Sequence, residues 1–383
     1  MATVTKRHWQ TAGGVERTAW IVSYSTAGKR HIKTFQSKRE ADAWKTETLH
    51  EIARGIHTPP TASITVGEAG ERWVEQCKTD GLEATTVRQY RQHLDLHITP
   101  IIGTMKLAHL SPASVIDFRN ALIKEKRSRA LASKVIVSLG AILGTAMAAG
   151  LVARNVVRDQ ASGHAKRQRR LEKRHDKRLE VGVDIPTKDE IRALLAAAQG
   201  RWRPMIVTVI FTGLRASELR GLRWSDVELG AGAGSLSVRQ RADRFNAIGS
   251  PKSNAGKRTV PLAPMVVNTL KEWKLACPKG ELGLVFPNLR GGVESLHAMS
   301  GGLGAAQKAA GLGGSRRAPR YGMHAFRHAA ASLLIDQGLS PKRIQSFMGH
   351  STISVTFDVY GHLFPDADED QAVMQQLQQR LIG

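Results

Sequence analysis

The hydrophobic positions of this chain alternate with polar ones only in short stretches and otherwise recur at helical spacing. Two runs rich in β-forming residues, A-W-I-V-S-Y-S and R-H-I-K-T-F, lie near the start, and residues 235–262 also alternate. Apolar residues three or four positions apart, bounded by glycine, proline and capping signals, fill much of the remainder. We therefore expect a multidomain, mainly α fold with small β-sheets.

Residues 1–57 are predicted to form a small unit of their own. The β-rich runs are joined through T-A-G-K, a hairpin turn, and Ser37 caps a helix that ends at Gly55. A three-stranded sheet plus one helix, with ten Lys/Arg against five Asp/Glu, could lay a strand face into a DNA groove. A basic appendage for solubility or protein contact is the alternative. The candidate DNA contacts here are Lys29, Arg30 and Lys33.

A helical domain is predicted over residues 64–160, after the linker I-H-T-P-P-T-A-S. Thr65 and Glu68 form a capping-box pattern at the start of its first helix. The apolar side chains of this helix that we expect to face inward are Trp73, Val74 and Cys77. Arg88 and Arg91 on the second helix are candidate phosphate contacts, although a solvated helix face has the same pattern.

Residues 161–184 are predicted to form a basic linker. Eight Lys/Arg stand against three Asp/Glu in residues 163–180, with almost no core-forming residues. Such a segment is expected to run along a phosphate backbone, as an exposed helix or a flexible strap, and a charged spacer is the alternative. The candidate contacts in it are Lys166, Arg167, Arg169 and Arg170.

A second large domain, of the α+β type, is predicted over residues 185–365. An amphipathic helix and a buried helix precede T-G-L-R-A-S-E-L, and the loop G-S-P-K-S-N-A-G-K-R joins two strands. Three helices are predicted near the end: the first ends at Gly338, the second at Gly349, and the last carries Tyr360.

The tail, residues 366–383, is predicted to be a terminal helix. Its acidic opening is favourable at a helix N-terminus. Val373, Leu377 and Leu381 recur at intervals of four and form one apolar stripe. A helix with such a stripe needs a groove, in its own domain or in a neighbouring protomer.

The charge of the chain narrows the class of partner. Its 383 residues carry a formal net charge of +23, with a pI near 10.5, which points to a polyanion and first to nucleic acid. Two distant cysteines argue against a disulfide framework or a cysteine-rich zinc site. Because no signal peptide and no apolar run near the ~20 residues of a membrane span is apparent, we expect a soluble, cytoplasmic, nucleoid-associated protein with no membrane partner. Abundant Ala, Gly and Arg indicate a GC-rich bacterial host.

The residues with candidate chemistry lie between Tyr321 and His362. His324 and Arg327 are three apart and share a helix face, His350 follows a glycine, and Tyr360 comes ten residues later. Forked guanidinium groups match the non-bridging oxygens of a phosphodiester, and Arg215 is the second arginine that we place there with Arg327. This set suits attack by a tyrosine on a phosphodiester.

Tyr360 is the candidate nucleophile of this chemistry. An unperturbed phenol has a pKa of about 10, so it needs help to lose its proton. His324 is the candidate base or phosphate donor, and His350 is a second donor. A lysine on a mobile loop could protonate the leaving 5′-oxygen; Lys252 is the first candidate, with Lys257 in reserve.

The motifs T-G-L-R-A-S-E-L, H-A-F-R-H and M-G-H-S-T-I-S-V-T-F-D-V-Y-G-H resemble those of the tyrosine recombinase (phage integrase) family. The resemblance implies an activating set and a nucleophile at Arg215, Lys252, His324, Arg327, His350 and Tyr360. It implies that Glu218 is a supporting acid behind Arg215. Residues 64–160 are similar to the core-binding domain of these enzymes, and residues 1–57 resemble their small arm-site binding domain.

The resemblance also implies a reaction and an assembly. Each protomer would cut one DNA strand through a 3′-phosphotyrosine, and a 5′-hydroxyl of the partner duplex would complete the exchange, with no metal and no nucleotide cofactor. The working form would be a homotetramer on double-stranded DNA attachment sites of a mobile element, such as a phage, plasmid or transposon, with the terminal helix docked on the next protomer. An accessory directionality factor or a host DNA-bending protein is a further candidate partner.

Three other functions are weighed against recombination. His324 and His328 have the spacing of two zinc ligands, but Ala325 stands where a zinc protease has its glutamate. A type IB topoisomerase uses a similar residue set, although the N-terminal unit and the tail helix favour recombination at two sites. A repressor that only binds DNA would need no intact nucleophile or activating set.

Overall fold

A computed structural model describes residues 2–10, 14, 16–26, 29–53, 63–160, 178–230, 234–364 and 370–382. The chain divides into two compact units, Met1–Asp176 and Lys177–Gly383, with the boundary inside the predicted basic linker. The middle of the predicted T-A-G-K turn and most of the two predicted linkers lie outside the described residues, and so do Lys166, Arg167, Arg169 and Arg170.

The first unit begins with the expected three-stranded sheet and helix. Its elements are β1 (Ala2–Gln10), β2 (Glu16–Thr26), β3 (Lys29–Phe35) and α1 (Lys38–Ala53). The sheet is antiparallel in the order β1-β2-β3, so β2 is central and supplies the buried residues Ala19, Val22 and Tyr24. The ring of Tyr24 packs edge-on against Trp44 of α1, with 5.4 Å between centroids, which places the helix on one face of the sheet.

The helical part of this unit packs around a separate apolar core. Its helices are α2 (Val66–Thr79), α3 (Ala84–His93), α4 (Thr99–Ile102), α5 (Pro112–Lys124), α6 (Arg129–Ala148) and α7 (Val156–Gln160). The predicted capping box is present: the Glu68 N–H donates to Thr65 Oγ1 at 3.2 Å, and the Thr65 N–H donates to Glu68 Oε2 at 2.8 Å. Trp73, Val74 and Cys77 are buried, as predicted.

Helix α6 corrects one expectation from the sequence. At 20 residues it is long and apolar enough to cross a membrane by length and composition, although no such run was expected. Its apolar residues, including Val135, Leu139, Ile142 and Leu143, are buried in the core of the helical part. The apolar character of α6 therefore has a structural cause in this core.

The second unit has its short strands grouped together in the chain, between two sets of helices. Its helices are α8 (Lys188–Ala197), α9 (Arg203–Thr212), α10 (Ala216–Gly221), α11 (Pro264–Ala276), α12 (Leu296–Ala309), α13 (Met323–Asp336), α14 (Pro341–Met348), α15 (Ile353–Tyr360) and α16 (Asp370–Ile382). Its strands are β4 (Val227–Leu229), β5 (Gly234–Val238), β6 (Arg241–Ala242), β7 (Ile248–Gly249) and β8 (Arg258–Leu262). The alternating region therefore forms an antiparallel sheet in the order β4-β5-β8 and a small hairpin, β6-β7.

Helix α9 is at the centre of the second unit. Its run P-M-I-V-T-V-I is buried on all sides, and it packs against α11 and α13. A helix without a polar face cannot lie on a surface, so its end, where the chain turns into α10, is held firmly by the core. Arg215 lies at this turn.

The three helices predicted around the candidate nucleophile are present. Helix α13 is followed by Gly338, at φ +73°, and α14 ends at Gly349, at φ +65°. Both glycines adopt the left-handed conformation that ends helices and that side chains with a Cβ rarely adopt. Ser340 caps α14, as predicted, by accepting from the Arg343 N–H.

The terminal helix α16 is present where the tail stripe predicted it. Leu377 and Leu381 are exposed. The surroundings of the Val373 side chain and the acidic opening up to Glu369 lie outside the described residues.

Candidate active site

Arg215 is the residue directly before α10, and it binds Glu218 in the first turn of that helix. The Arg215 N–H donates to Glu218 Oε2 at 3.0 Å, and Nη1 donates to Oε1 at 2.7 Å. A third donor, Nη2, reaches the Gly349 carbonyl at 3.2 Å. The Arg215 side chain remains 37% exposed while Glu218 is buried, so the arginine can present a charged face to a bound anion.

Glu218 binds a second arginine, Arg258, at the start of β8. Arg258 donates from Nη2 to Oε2 at 3.0 Å and from Nη1 to Oε1 at 3.3 Å, and its Nε donates to the Phe347 carbonyl at 2.7 Å. Burial alone would raise the pKa of Glu218, but the Arg258 and Arg215 cations outweigh burial and lower it. A charged Glu218 therefore links α10, β8 and the end of α14.

Arg327 on α13 is the most deeply buried cation of the site, with 2% of the residue exposed. Its Nη1 donates to the Gly213 carbonyl at 2.7 Å and its Nη2 to the Met348 carbonyl at 2.6 Å. Burial, and then the nearby Arg215 cation, lower the pKa of Arg327 to about 10. The group is still a cation at neutral pH, and it joins the end of α9 to the end of α14.

His350 follows Gly349 and is buried beside the arginines. Its Nδ1 lies 2.9 Å from Thr356 Oγ1. This contact fixes the orientation of the ring and occupies Nδ1, so Nε2 is the nitrogen that could contact a bound group. Burial, followed by the Arg327, Arg215 and Arg258 cations, lowers the pKa of His350 to about 4. The imidazole is therefore neutral at neutral pH and can donate from one nitrogen only.

Tyr360 lies at the end of α15, with 1% of the residue exposed. Its ring stacks on His350, with centroids 6.1 Å apart and planes 16° from parallel. Burial raises the pKa of Tyr360 to about 12, although the Arg327 and Arg215 cations act in the opposite direction. The phenol is therefore neutral at neutral pH, and it must lose its proton to attack.

The Tyr360 hydroxyl contacts His328, whose Nδ1 is 2.8 Å away, and not the predicted base, His324. The His324 ring packs edge-on against that of His328, with 4.6 Å between their centroids. Burial, together with the Arg327 and Arg215 cations, lowers the pKa of His324. The predicted base therefore lies beside the site, more open to solvent, while His328 contacts the phenol.

Lys252 and Lys257 are both exposed, on the loop between β7 and β8. The loop ends against the site, since the Gly256 carbonyl accepts from Arg258 Nη1 at 3.1 Å. This placement suits either lysine, so Lys252 stays the first candidate and Lys257 the reserve.

Comparisons with known proteins identify the family of this chain. The model of the "Phage integrase family" matches residues 186–366, and that of the "Phage integrase, N-terminal SAM-like domain" matches residues 65–123. The chain belongs to the phage integrase family. It is therefore a site-specific tyrosine recombinase, an enzyme of DNA cleavage and rejoining that integrates or excises mobile elements.

Two relatives align with this family member over most of their length. It is 28% identical to an integrase of Streptomyces ambofaciens, over 92% of this chain and 90% of that protein. It is 26% identical to the prophage integrase IntR of Escherichia coli (strain K12), over 81% of this chain and 79% of that protein.

Solved integrase structures have the same fold. The Tn1549 transposon integrase in complex with transposon right end DNA matches with a TM-score of 0.63 at 21% identity, covering 84% of this chain and 100% of that one. The lambda integrase tetramer bound to a Holliday junction matches with a TM-score of 0.57 at 20% identity, covering 91% and 96%. These likenesses show that the chain shares the fold of the two integrases.

The candidate DNA contacts of this recombinase differ in their surroundings. Lys29, Arg30 and Arg88 are exposed. Lys33 is half-buried, with its ammonium 4.6 Å from the Trp44 ring centroid. Arg91 is one-third exposed and forms ion pairs with two carboxylates, Glu71 and Asp95. Much of the charge of Arg91 is therefore already balanced within the helical part.

Three residues of the site were not predicted: Arg258, His328 and Thr356. Arg258 shares a strand face with the buried Val260 and Leu262, so alternation along β8 could have placed it inside. His328 directly follows Arg327, but its spacing from His324 suggested only a zinc ligand. Among the residues that the structure describes, no group of three or more His, Cys, Asp or Glu side chains could hold a metal ion.

Proposed function

We propose that Tyr360 is the nucleophile of this recombinase and cuts one DNA strand to form a 3′-phosphotyrosine. The observation that carries the proposal is the packing of Tyr360 against His350, beside Arg327 and Arg215. A phosphodiester gains negative charge on its non-bridging oxygens during attack, and two guanidinium groups offset that charge. The same cations favour the phenolate once the phenol loses its proton.

Arg215, Arg327 and His350 would bind the scissile phosphate. Arg215 has an exposed guanidinium that a phosphate can reach, while Arg327 and His350 line the deeper part of the cluster. Holding these groups in place before DNA binds avoids reorganisation during the reaction. His324, which lies further out, is the proposed proton acceptor or phosphate donor.

Lys252 is the proposed acid for the leaving 5′-oxygen, with Lys257 in reserve. The tyrosine oxygen forms a bond to phosphorus as the bond to the 5′-oxygen breaks, so that oxygen must take up a proton. Rejoining reverses these steps with a 5′-hydroxyl as nucleophile. The energy of the broken phosphodiester stays in the phosphotyrosine, so the strand exchange that we propose needs no cofactor.

The segments outside the catalytic domain (185–365) would bind DNA and neighbouring protomers. We propose that residues 1–57 bind arm sites, that residues 64–160 bind the core site, and that the basic linker, 161–184, follows the phosphate backbone. The tail, residues 366–383, exposes Leu377 and Leu381 and would dock on the next protomer. A homotetramer on two attachment sites in a bacterial cytoplasm, aided by a directionality or DNA-bending protein, would be the working form.

The test is formation of a covalent adduct on a nicked suicide substrate that carries the crossover site. Wild type is expected to form the adduct on a denaturing gel, and Tyr360→Phe to form none while it still binds DNA. Tyr321→Phe is a matched control, since Tyr321 is equally buried in the same unit but bonds to Glu190 and the Gly182 carbonyl. It should form the adduct at the wild-type rate. An adduct formed equally well by Tyr360→Phe would refute the proposed nucleophile.

A further inference from the structure

The Tyr360 hydroxyl makes a specific contact with a histidine outside the activating set. His328 Nδ1 lies 2.8 Å from the phenol oxygen, and the two rings are 5.6 Å apart at 61°. Among the described residues, this is the hydrogen bond that the Tyr360 hydroxyl makes. Burying a hydroxyl without a hydrogen-bond partner costs free energy, so this contact stabilises the buried position of the phenol.

Helix α15 is attached to the site at two points, one helical turn apart. Thr356 bonds to Nδ1 of His350, and Tyr360 bonds to Nδ1 of His328. Residues four apart lie on the same face of a helix, so both contacts hold that face of α15. His350 also stacks on the tyrosine ring, so His350 sets the plane of the phenol and His328 sets the position of its oxygen.

We propose that His328 is a positioning residue for the nucleophile: its Nδ1 accepts a hydrogen bond from the Tyr360 hydroxyl and holds the oxygen at the arginine cluster before DNA binds. This inference rests on the proposed function, because it assumes that Tyr360 attacks the phosphate. His328 itself acts through the phenol, and it is not assigned a contact with DNA.

The protonation states agree with the direction of this hydrogen bond. Burial, and then the neighbouring His324 and Arg327, lower the pKa of His328 to about 4, while burial raises that of Tyr360 to about 12. At neutral pH the imidazole is neutral and the phenol keeps its proton. The phenol O–H is then the donor and Nδ1 the acceptor, and the single N–H of the neutral imidazole is on Nε2.

Two substitutions separate positioning from packing. His328→Phe keeps a flat ring but removes the acceptor, and His328→Asn removes the ring but provides an amide oxygen near the place of Nδ1. The measurement is the single-turnover rate of adduct formation at saturating protein, together with DNA affinity and thermal unfolding. His328→Phe is expected to slow cleavage about tenfold, the effect of one lost hydrogen bond, with DNA affinity unchanged. His328→Asn is expected to recover most of that rate.

Two outcomes would overturn the inference. One is cleavage by His328→Phe at the wild-type rate or faster, and the other is cleavage by His328→Asn that is as slow as that by His328→Phe. If His328→Phe is unfolded at the assay temperature, His328→Ala with added imidazole replaces it: rescue by imidazole supports positioning, and its absence contradicts it. Failure of the proposed function gives a different result, since Tyr360→Phe would then still form the adduct.

Discussion

Glu218 and Arg258 form a buried ion pair although they lie forty positions apart in the chain. Arg258 Nη2 is 3.0 Å from Glu218 Oε2, and both side chains are less than one-tenth exposed. The same carboxylate binds Arg215, so one acid orients two of the cations around the candidate nucleophile. The cleavage activity and the stability of the second unit should therefore both depend on this pair.

Removal of Arg258 should cost more than removal of a surface arginine. Arg258→Met leaves a buried carboxylate with one partner fewer, and breaking such a pair typically costs about 3–5 kcal/mol of unfolding free energy. Arg192→Met is the control, because its pair with Asp189 is exposed and such pairs contribute about 0–1 kcal/mol. Chemical denaturation of both variants measures the difference. Equal stabilities of the two would contradict the assigned role of the buried pair.

Gly349→Ala should impair cleavage, while Gly338→Ala should affect stability alone. Both glycines have positive φ, so an added Cβ costs each of them about 1–2 kcal/mol. At Gly349 the new Cβ would also lie 2.8 Å from Arg258 Nη1, whereas at Gly338 no atom is within 4 Å. We expect the rate of adduct formation to fall at least tenfold in Gly349→Ala, which corresponds to an activation barrier higher by about 1.4 kcal/mol. The rate in Gly338→Ala should be unchanged. Equal rates would show that the space beside Arg258 is unimportant.

Thr356→Val should slow cleavage through His350. Valine has the shape of threonine but cannot bond to Nδ1, so the imidazole would lose the partner that orients it. The lost hydrogen bond predicts a rate about tenfold lower, and Thr356→Ser should restore most of it. Single-turnover adduct formation measures both. A Thr356→Val rate equal to that of wild type would mean that packing alone orients His350.

Stability should fall as the pH drops below about 6.5. His328 and His350 each have a pKa lowered from 6.5 to about 4 in the folded chain. Between these values the unfolded chain takes up protons that the folded site excludes, so the stability present above pH 6.5 is lost as the pH falls towards 4. Over this range, the unfolding free energy measured by chemical denaturation should depend less steeply on pH in the double variant His328→Asn, His350→Asn than in wild type. An identical slope would show that other groups control acid unfolding.

Much of the fold was predictable because its signals are local. The capping box at Thr65 and Glu68, the proline start of α14 and its glycine end each involve residues within one or two turns. Local spacing also brought Tyr360, His350 and Arg327 together as candidates, since their motifs lie on α13, on α15 and in the short loop between α14 and α15. Contacts of this kind follow from helix geometry and capping chemistry alone.

The missed contacts join segments that are distant in sequence. Nothing near Arg258 indicates that its partner is Glu218, because the pairing depends on how β8 packs against α9, the helix that precedes α10. In the same way, His328 and Tyr360 are 32 positions apart, and they meet because α13 and α15 both pack against α14. The sequence proposed His324 as the base from its motif, but the motif cannot tell which of two histidines on one helix reaches the phenol.

The most direct test of Tyr360 as nucleophile is to locate the DNA–protein bond by mass spectrometry. Trypsin cleaves after lysine and arginine, so the peptide from Ile344 to Arg380 is released whole and contains Tyr360 as its one tyrosine. After reaction with the suicide substrate and nuclease digestion, we predict a nucleotide phosphate on this peptide, attached to Tyr360. A nucleotide on a peptide that carries Tyr24, Tyr90 or Tyr321, or on a residue other than tyrosine, would contradict the account.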